Sequence, residues 1–303
     1  MRIGLMSGAT GGDGTIDGLV ARVQQLEASG FDSVWMAHIF GLDAITALAL
    51  VGRETNRIEL GTAVVPTYPR HPMAIAQQAL TTQAASGGRF TLGIGLSHKL
   101  VIEDMMGLSY EKPALHMREY MAVLGPLLRG EPVKHEGEQY NVQGAVQVPG
   151  AKPTSVLIAA LGDRMLQIAG STADGTILWM TGPKTIETHI VPKLTAAAEK
   201  AGRPAPRVVA GFPIILTNNP DKAREAIGGA LTMYGQLPSY RAMLDREGGS
   251  FGPADIALVG DEKELGASLD RLRDIGVTDF DAAIMPIEDG ADERTLAFLE
   301  SRL

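Results

Sequence analysis

Short aliphatic runs alternate with longer segments of helical period along the whole chain, and that alternation is the signature of parallel βαβ construction. Eight runs read as strands: Ile3 to Met6, Ser33 to Met36, Ile58 to Val64, Phe90 to Leu96, Val156 to Ala160, Thr176 to Met180, Val208 to Leu216 and Phe280 to Met285. Most are continuously apolar, as strands covered on both faces must be. The intervening segments are amphipathic. Ile16, Leu19, Val20, Val23 and Leu26 form one stripe, and Leu265, Leu269, Leu272 and Ile275 form another. Gly30 and Gly276 follow these two helices and hand almost directly to the next strand, which predicts glycine C-caps at both places. Eight alternations point to an α/β fold of the (β/α)8 TIM-barrel type. An open doubly wound sheet shares the alternation, because strand order is not readable from one sequence.

Two segments interrupt the rhythm. Residues 131–152, with EGEQYNVQGAVQV and two prolines, read as an inserted hairpin, and 237–255, rich in Gly, Pro and Ser, as an irregular excursion. The 303 residues suit one barrel domain spanning 1–303 with insertions at those two places.

Composition narrows the chemistry. The chain holds no cysteine, so disulfides, thiolate metal sites and cysteine nucleophiles are excluded, and redox chemistry requires a bound cofactor. A net charge of −8 without a Lys/Arg cluster argues against nucleic acid as a partner. No run approaches the roughly 20 apolar residues that span a bilayer. The N-terminus carries no secretory pattern, so a cytoplasmic protein without a membrane partner is the expectation. The six histidines show no HxxxH or HxH spacing and no GxSxG elbow is present, so no metal is expected and acyl transfer has no nucleophile motif.

In a barrel the site is built from loops after the strands. After strand two stands His38, able to hydrogen-bond a ring carbonyl or exchange a proton, or else simply packed. After strand three, Gly61, Thr62, Ala63 and Val64 are small enough for a planar ring to approach the backbone, although a plain strand and turn would read the same way. After strand four come Leu96, Ser97 and His98, placed where a substrate or ring edge would lie. Ala159, Ala160, Leu161, Gly162 and Asp163 form a tight turn into a helix whose free amides would bind a cofactor phosphate, with Asp163 competing as an N-cap. Met180 and Thr181 precede another helix start at Gly182 and Pro183.

The stretches GTAVVPTYPRHP, RFTLGIGLSH, HMREYMAVLGPLLRGE and RMLQIAGSTADGTILWMTGP, in this order, resemble the luciferase-like monooxygenase superfamily, and in particular its F420-dependent oxidoreductases. The resemblance covers nearly the whole chain. It implies a homodimer and hydride transfer between reduced coenzyme F420 and a small organic substrate, with FMN-dependent monooxygenation as the alternative cofactor chemistry. A non-catalytic barrel that binds a cofactor or other small molecule is the third reading. The resemblance also implies His38 beside the ring and a bulge at Thr62, Ala63 and Val64 under its inner face. His38 is the first choice for the exchanged proton, His98 the second and Tyr110, as a substrate contact, the third. Two departures stand out: Ala37 replaces a frequent Asp before the histidine, and Ala159 to Asp163 replaces Gly-Gly-x-Gly-Pro. Arg118 falls in the helical stretch that supplies a phosphate-facing arginine in some flavin relatives, or is a surface residue.

Overall fold

A computed structural model of the protein describes residues 1–7, 14–248, 251–285 and 287–303. Eight parallel strands close on themselves: β1 (Arg2–Ser7), β2 (Ser33–Met36), β3 (Glu59–Thr62), β4 (Phe90–Gly95), β5 (Ser155–Ile158), β6 (Gly175–Leu178), β7 (Arg207–Leu216) and β8 (Asp279–Ile284). The pairing of β8 with β1 completes the ring, so the fold is a (β/α)8 barrel and the open sheet is excluded. Among the described residues no helix is long and apolar enough to cross a membrane.

The two glycine caps are alike in atomic detail. Gly30 and Gly276 both take φ of 99°, and the amides of Phe31 and Val277 reach back to the Leu26 and Leu272 carbonyls at 3.1 Å. Each is a Schellman closure, in which a left-handed residue turns the chain from helix to strand. Phe31 and Val277 are thereby delivered straight into the core.

Side chains alternate between the lumen and the helix-facing core. Phe212, Phe280 and Ala282 pack outward against helices, while Trp35, Leu157, Ile177 and Val209 fill the lumen. At its N-terminal end the lumen is closed by ions. The Arg207 guanidinium bonds Glu59 of β3 at 2.9 Å and Asp279 of β8 at 2.7 Å, and Arg2 joins both carboxylates. Burial alone would raise the Glu59 carboxyl, but Arg207 and Arg2 outweigh it and hold it below the usual range. The Arg207 guanidinium carbon also lies 5.7 Å from the Trp35 ring centroid, a cation–π contact from below.

Asp281 shares the inward parity of Asp279 one step higher and is fully buried, yet neither oxygen has a hydrogen-bond partner among the described residues. Its register partners are Gly4 on β1 and Gly211 on β7. Burial pushes its carboxyl well above the ordinary value, so it is held as the neutral acid.

Two expectations need correction. The strand read as Ile58 to Val64 ends at Thr62; the chain then leaves β3 through a cis Ala63–Val64 peptide, and Val65–Pro66 pairs with Ile94 and Gly95 of β4 instead. Continuous apolarity hid this break, because Val64 and Val65 suit a strand equally well on either path. The segment 237–255 is not wholly irregular: Pro238–Glu247 is a helix, begun by a proline in its first turn and buried through Met243 and Leu244. Beyond 255, Leu258–Gly260 adds a short parallel strand to the outer half of β7. Residues 131–152 do contain a hairpin, Val133–Glu136 with Asn141–Gly144.

The raised Asp281 value has a sign that can be checked. Its stability contribution is full below the unfolded carboxyl's 3.8 and is lost as pH rises through the higher folded value. Asp281→Asn removes that loss. Measured by chemical denaturation, the variant should gain on the wild type by about 1.4 kcal/mol per pH unit over that interval. A stability difference that stays flat from pH 5 to 8 would show that the acid ionises normally.

Candidate functional site

The strand tips gather into a cup. Its floor is small and apolar: Ala63, Val64 and Ala159 lie partly buried on top of the lumen cluster, with Gly95 between them. A Cβ on Gly95 would fall 2.7 Å from the Val64 side chain and 3.3 Å from Ala159, so only glycine keeps this floor level. Thr62 and Gly61 serve the floor from beneath. The Thr62 hydroxyl both donates to the Gly93 carbonyl and accepts from its amide at 2.8 Å, and a Cβ on Gly61 would strike the Trp35 ring. The Thr62 hydroxyl is thus committed to Gly93.

His38 is held on the β2 loop with both ring nitrogens against donors. The Ala44 amide donates to Nδ1 at 3.2 Å, and the Arg70 guanidinium, anchored at 2.9 Å by Asp43, lies 3.1 Å from Nε2; a neutral ring accepts at only one of its two nitrogens, so the tautomer that takes the Ala44 bond leaves Nε2–H facing Arg70 without an acceptor. An imidazolium has two N–H groups, and with Asp43 at 3.8 Å neither finds an acceptor within bonding distance. Burial, then the Arg70 charge, accordingly lowers the His38 pKa against a smaller upward pull from Asp43. The ring is neutral at pH 7.

On the opposite wall, Ser97 takes a left-handed φ of 59° directly after β4, and the Tyr110 hydroxyl donates to its carbonyl at 3.3 Å. Tyr110 leans on Tyr68, which stacks face to face on His116 at 3.9 Å. The Tyr68 hydroxyl is buried without a partner among the described residues. His98 follows Ser97, and its ring nitrogens make no hydrogen bond among those residues; its pKa is lowered by burial. It is the free imidazole of the two.

Two helix starts adjoin the cup, and they differ. At Gly182 the incoming amides are taken: the Glu247 carboxylate accepts from Thr185 at 2.6 Å and from Lys184 at 3.3 Å, packing over Gly182. Met180, at a φ of 54°, is buried in the cluster with Ile215 and Ile227, and the buried Thr181 donates its hydroxyl to the Trp179 carbonyl at 3.2 Å. At Gly162 no side chain caps the helix Asp163–Thr172. Asp163 does not cap it; the carboxylate turns to Lys193 at 2.6 Å, and Lys193 foremost holds it low. The loop is fixed by His189, whose Nε2 donates to the Leu161 carbonyl at 2.8 Å, while Ala160 faces the outer core. A cleft of about 560 Å³ runs from Leu96 between this helix start and Lys112, Pro113, Ala114 and Leu115. Arg164 stands on it and Arg246 acts on Asp163 from nearby, so uncapped amides and cations converge at its end. Arg118 is exposed and does not line it.

Sequence reasoning named the turn at 159–163 but assigned no role to Arg164, the next residue, and missed Lys112, His189 and Glu247, which lie on other elements. Only the possibility of a Gly-capped helix start was visible in the chain itself. Among the described residues no cluster of three His, Asp or Glu could hold a metal ion.

The description "luciferase-like monooxygenase" belongs to the family whose profile matches residues 1–279, nearly the full chain. The protein is a member of that family and an enzyme of it. A 5,10-methylenetetrahydromethanopterin reductase of Archaeoglobus fulgidus is 34% identical over 233 residues, 75% of this chain and 68% of that one. The reductase of the same name from Methanolobus tindarius is matched over 178 residues at 34% identity, 58% of this chain, and the match spans only 54% of that relative. Among solved structures, the coenzyme F420 dependent tetrahydromethanopterin reductase of Methanopyrus kandleri superposes with a TM-score of 0.78 at 21% identity, covering 100% of this chain and 98% of that one. A type II Baeyer-Villiger monooxygenase component from Pseudomonas putida, in complex with FMN, gives 0.74 at 17% identity, covering 99% and 97%. These two likenesses concern the fold.

The donor pair around His38 yields a direct measurement. In NMR titration its imidazole should titrate below the ordinary 6.5, and Arg70→Gln should move the midpoint upward by removing the nearby charge. A midpoint at or above 6.5 in the wild type would contradict the arrangement.

Proposed function

We propose that the protein is an F420-dependent oxidoreductase that transfers a hydride between the reduced deazaflavin and a small organic substrate. The observation that carries this reading is a pair of features gathered at the strand tips: a floor of Ala63, Val64, Gly95 and Ala159, and, starting one residue past Gly95 at Leu96, the 560 Å³ cleft lined by the uncapped helix start at Gly162 and by Arg164. Such a site fits a planar ring joined through a polar chain to a phosphate. The lean towards F420 over FMN comes from the 34% identity to the A. fulgidus reductase, together with the F420 dependence stated for the M. kandleri enzyme of that type.

The bound deazaflavin would supply hydride chemistry at its ring carbon, which no side chain of this cysteine-free protein can supply. The residues do the rest. Floor residues would admit the ring closely, and the amides of Arg164 and Met165, with the Arg164 cation, would hold the phosphate, while Lys112 at the cleft edge is paired with Glu138. His38, neutral and flanked by Arg70 and Asp43, has one N–H to offer at the ring edge. His98, with both nitrogens free, is the group that gives or takes the substrate proton. Ala37 leaves no carboxylate beside His38 in sequence, and Asp43 with Arg70 sets that ring's orientation instead. A homodimer completes the reading, resting on the family resemblance.

Separate fluorescence titrations with F420 and FMN test the cofactor. F420 should bind at least tenfold more tightly, and a preference for FMN would overturn the assignment. Arg164→Ala should weaken binding roughly three- to tenfold, about 0.7–1.4 kcal/mol. With cofactor bound, His98→Ala should lower kcat about 10² to 10⁴ fold while cofactor affinity holds; unchanged turnover would remove His98 from proton transfer.

A further inference from the structure

Exposed apolar side chains are concentrated at the barrel mouth. Of the eight large hydrophobic residues that stand exposed among the described residues, Ile39 and Phe40 lie on the β2 loop, Leu100, Met105 and Leu108 on the β4 loop, and Met233 on the segment beyond β7, while Leu50 and Leu303 lie elsewhere. Scattered exposure needs no explanation, but grouping on loops that share one face does.

Beneath this rim runs a line of rings from different strand tips. His98 meets Tyr240 edge-on with centroids 5.3 Å apart, Tyr240 meets Tyr234 at 5.7 Å, and Tyr234 meets Trp179 at 6.2 Å. The arc therefore joins the β4 tip to the β6 tip by way of the helices Thr232–Gln236 and Pro238–Glu247. It is fixed in place, because Glu247 binds the amides after β6 and the Thr185 hydroxyl donates to the Met243 carbonyl at 3.2 Å. The His98–Tyr240 and Tyr234–Trp179 contacts are edge-on and the Tyr234–Tyr240 contact is tilted at 55°, so no ring in the line has a face covered by stacking on its neighbour.

Charge separates this region from the cleft. Cations adjoining the arc residues in the chain are already engaged: Lys99 with Glu103, Lys184 with the Glu247 carbonyl and Arg241 with Asp245. Arg164 lines the cleft, and Arg246, beyond Tyr240 in the last turn of the same helix, acts on Asp163 and His189 at the cleft end. An anionic substrate would lose its hydration at the arc without gaining a counter-charge.

We propose that the substrate is an uncharged, apolar, planar molecule of the quinone or enone type, bound against the Tyr234–Tyr240–Trp179 arc under the apolar rim. The assignment rests on the oxidoreductase reading for the use made of the molecule, and on the arc alone for its binding.

Calorimetric titration of the purified protein with menadione, with and without saturating F420, tests it. The wild type should bind menadione in both states and should not bind glucose 6-phosphate. Tyr234→Ala and Tyr240→Ala should each weaken menadione roughly tenfold while F420 affinity stays within twofold; Tyr→Phe at either position should restore it, since the ring and not the hydroxyl is the contact. Displacement of menadione by F420 would place it on the floor instead and overturn the proposal. Full affinity in both Ala variants would do the same, as would binding of phosphatidylcholine vesicles by the rim with no menadione affinity. If F420 fails to bind while menadione binds with the expected variant pattern, the cofactor reading falls and the arc stands.

Discussion

The structure stands on the ion cluster that closes the lower end of the barrel. Arg207 extends from β7 to reach β3 and β8 at once, and Arg2 brings β1 to the same two carboxylates. Two cations and two anions compensate one another where each alone would be costly. Removing one would strand an opposite charge in a site too dry to tolerate it. Because the guanidinium lies under Trp35, the cluster also sets the height of the largest side chain in the lumen, and the layers above it rest on that ring.

The cup inherits its depth from this stacking. Large side chains are spent low in the lumen, so the next layer can be Ala63, Val64, Gly95 and Ala159 without leaving the interior hollow. Gly61 and Gly93 are part of the same economy of space, the first yielding to Trp35 and the second to the Thr62 carbonyl. Asp281 is the exception in this packing, a neutral acid between two glycines with no partner among the described residues.

The two helix starts show how tertiary contacts assign work to similar sequences. Both begin at a glycine with extended backbone and no side-chain cap. Glu247, arriving from more than sixty residues away, neutralises the one at Gly182 and pins the aromatic helices over the mouth. The one at Gly162 keeps its amides, with Asp163 drawn aside by Lys193. An anion site thus survives in one place and is consumed in the other.

What the chain determined by itself was local and repetitive. Aliphatic runs, helical stripes and the glycines at 30 and 276 specified eight strand and helix units, because period and backbone conformation depend only on neighbouring residues. The turn at 159–163 and the histidines after β2 and β4 were legible for the same reason, as residues at strand ends. Closure of the ring, the departure of the chain from β3 at Ala63, the helix at Pro238–Glu247, and the pairing of His38 with Arg70 were decided by the tertiary structure. Each depends on which groups meet across long sequence separations, where hydrogen bonds and charges compete for partners that linear pattern does not identify.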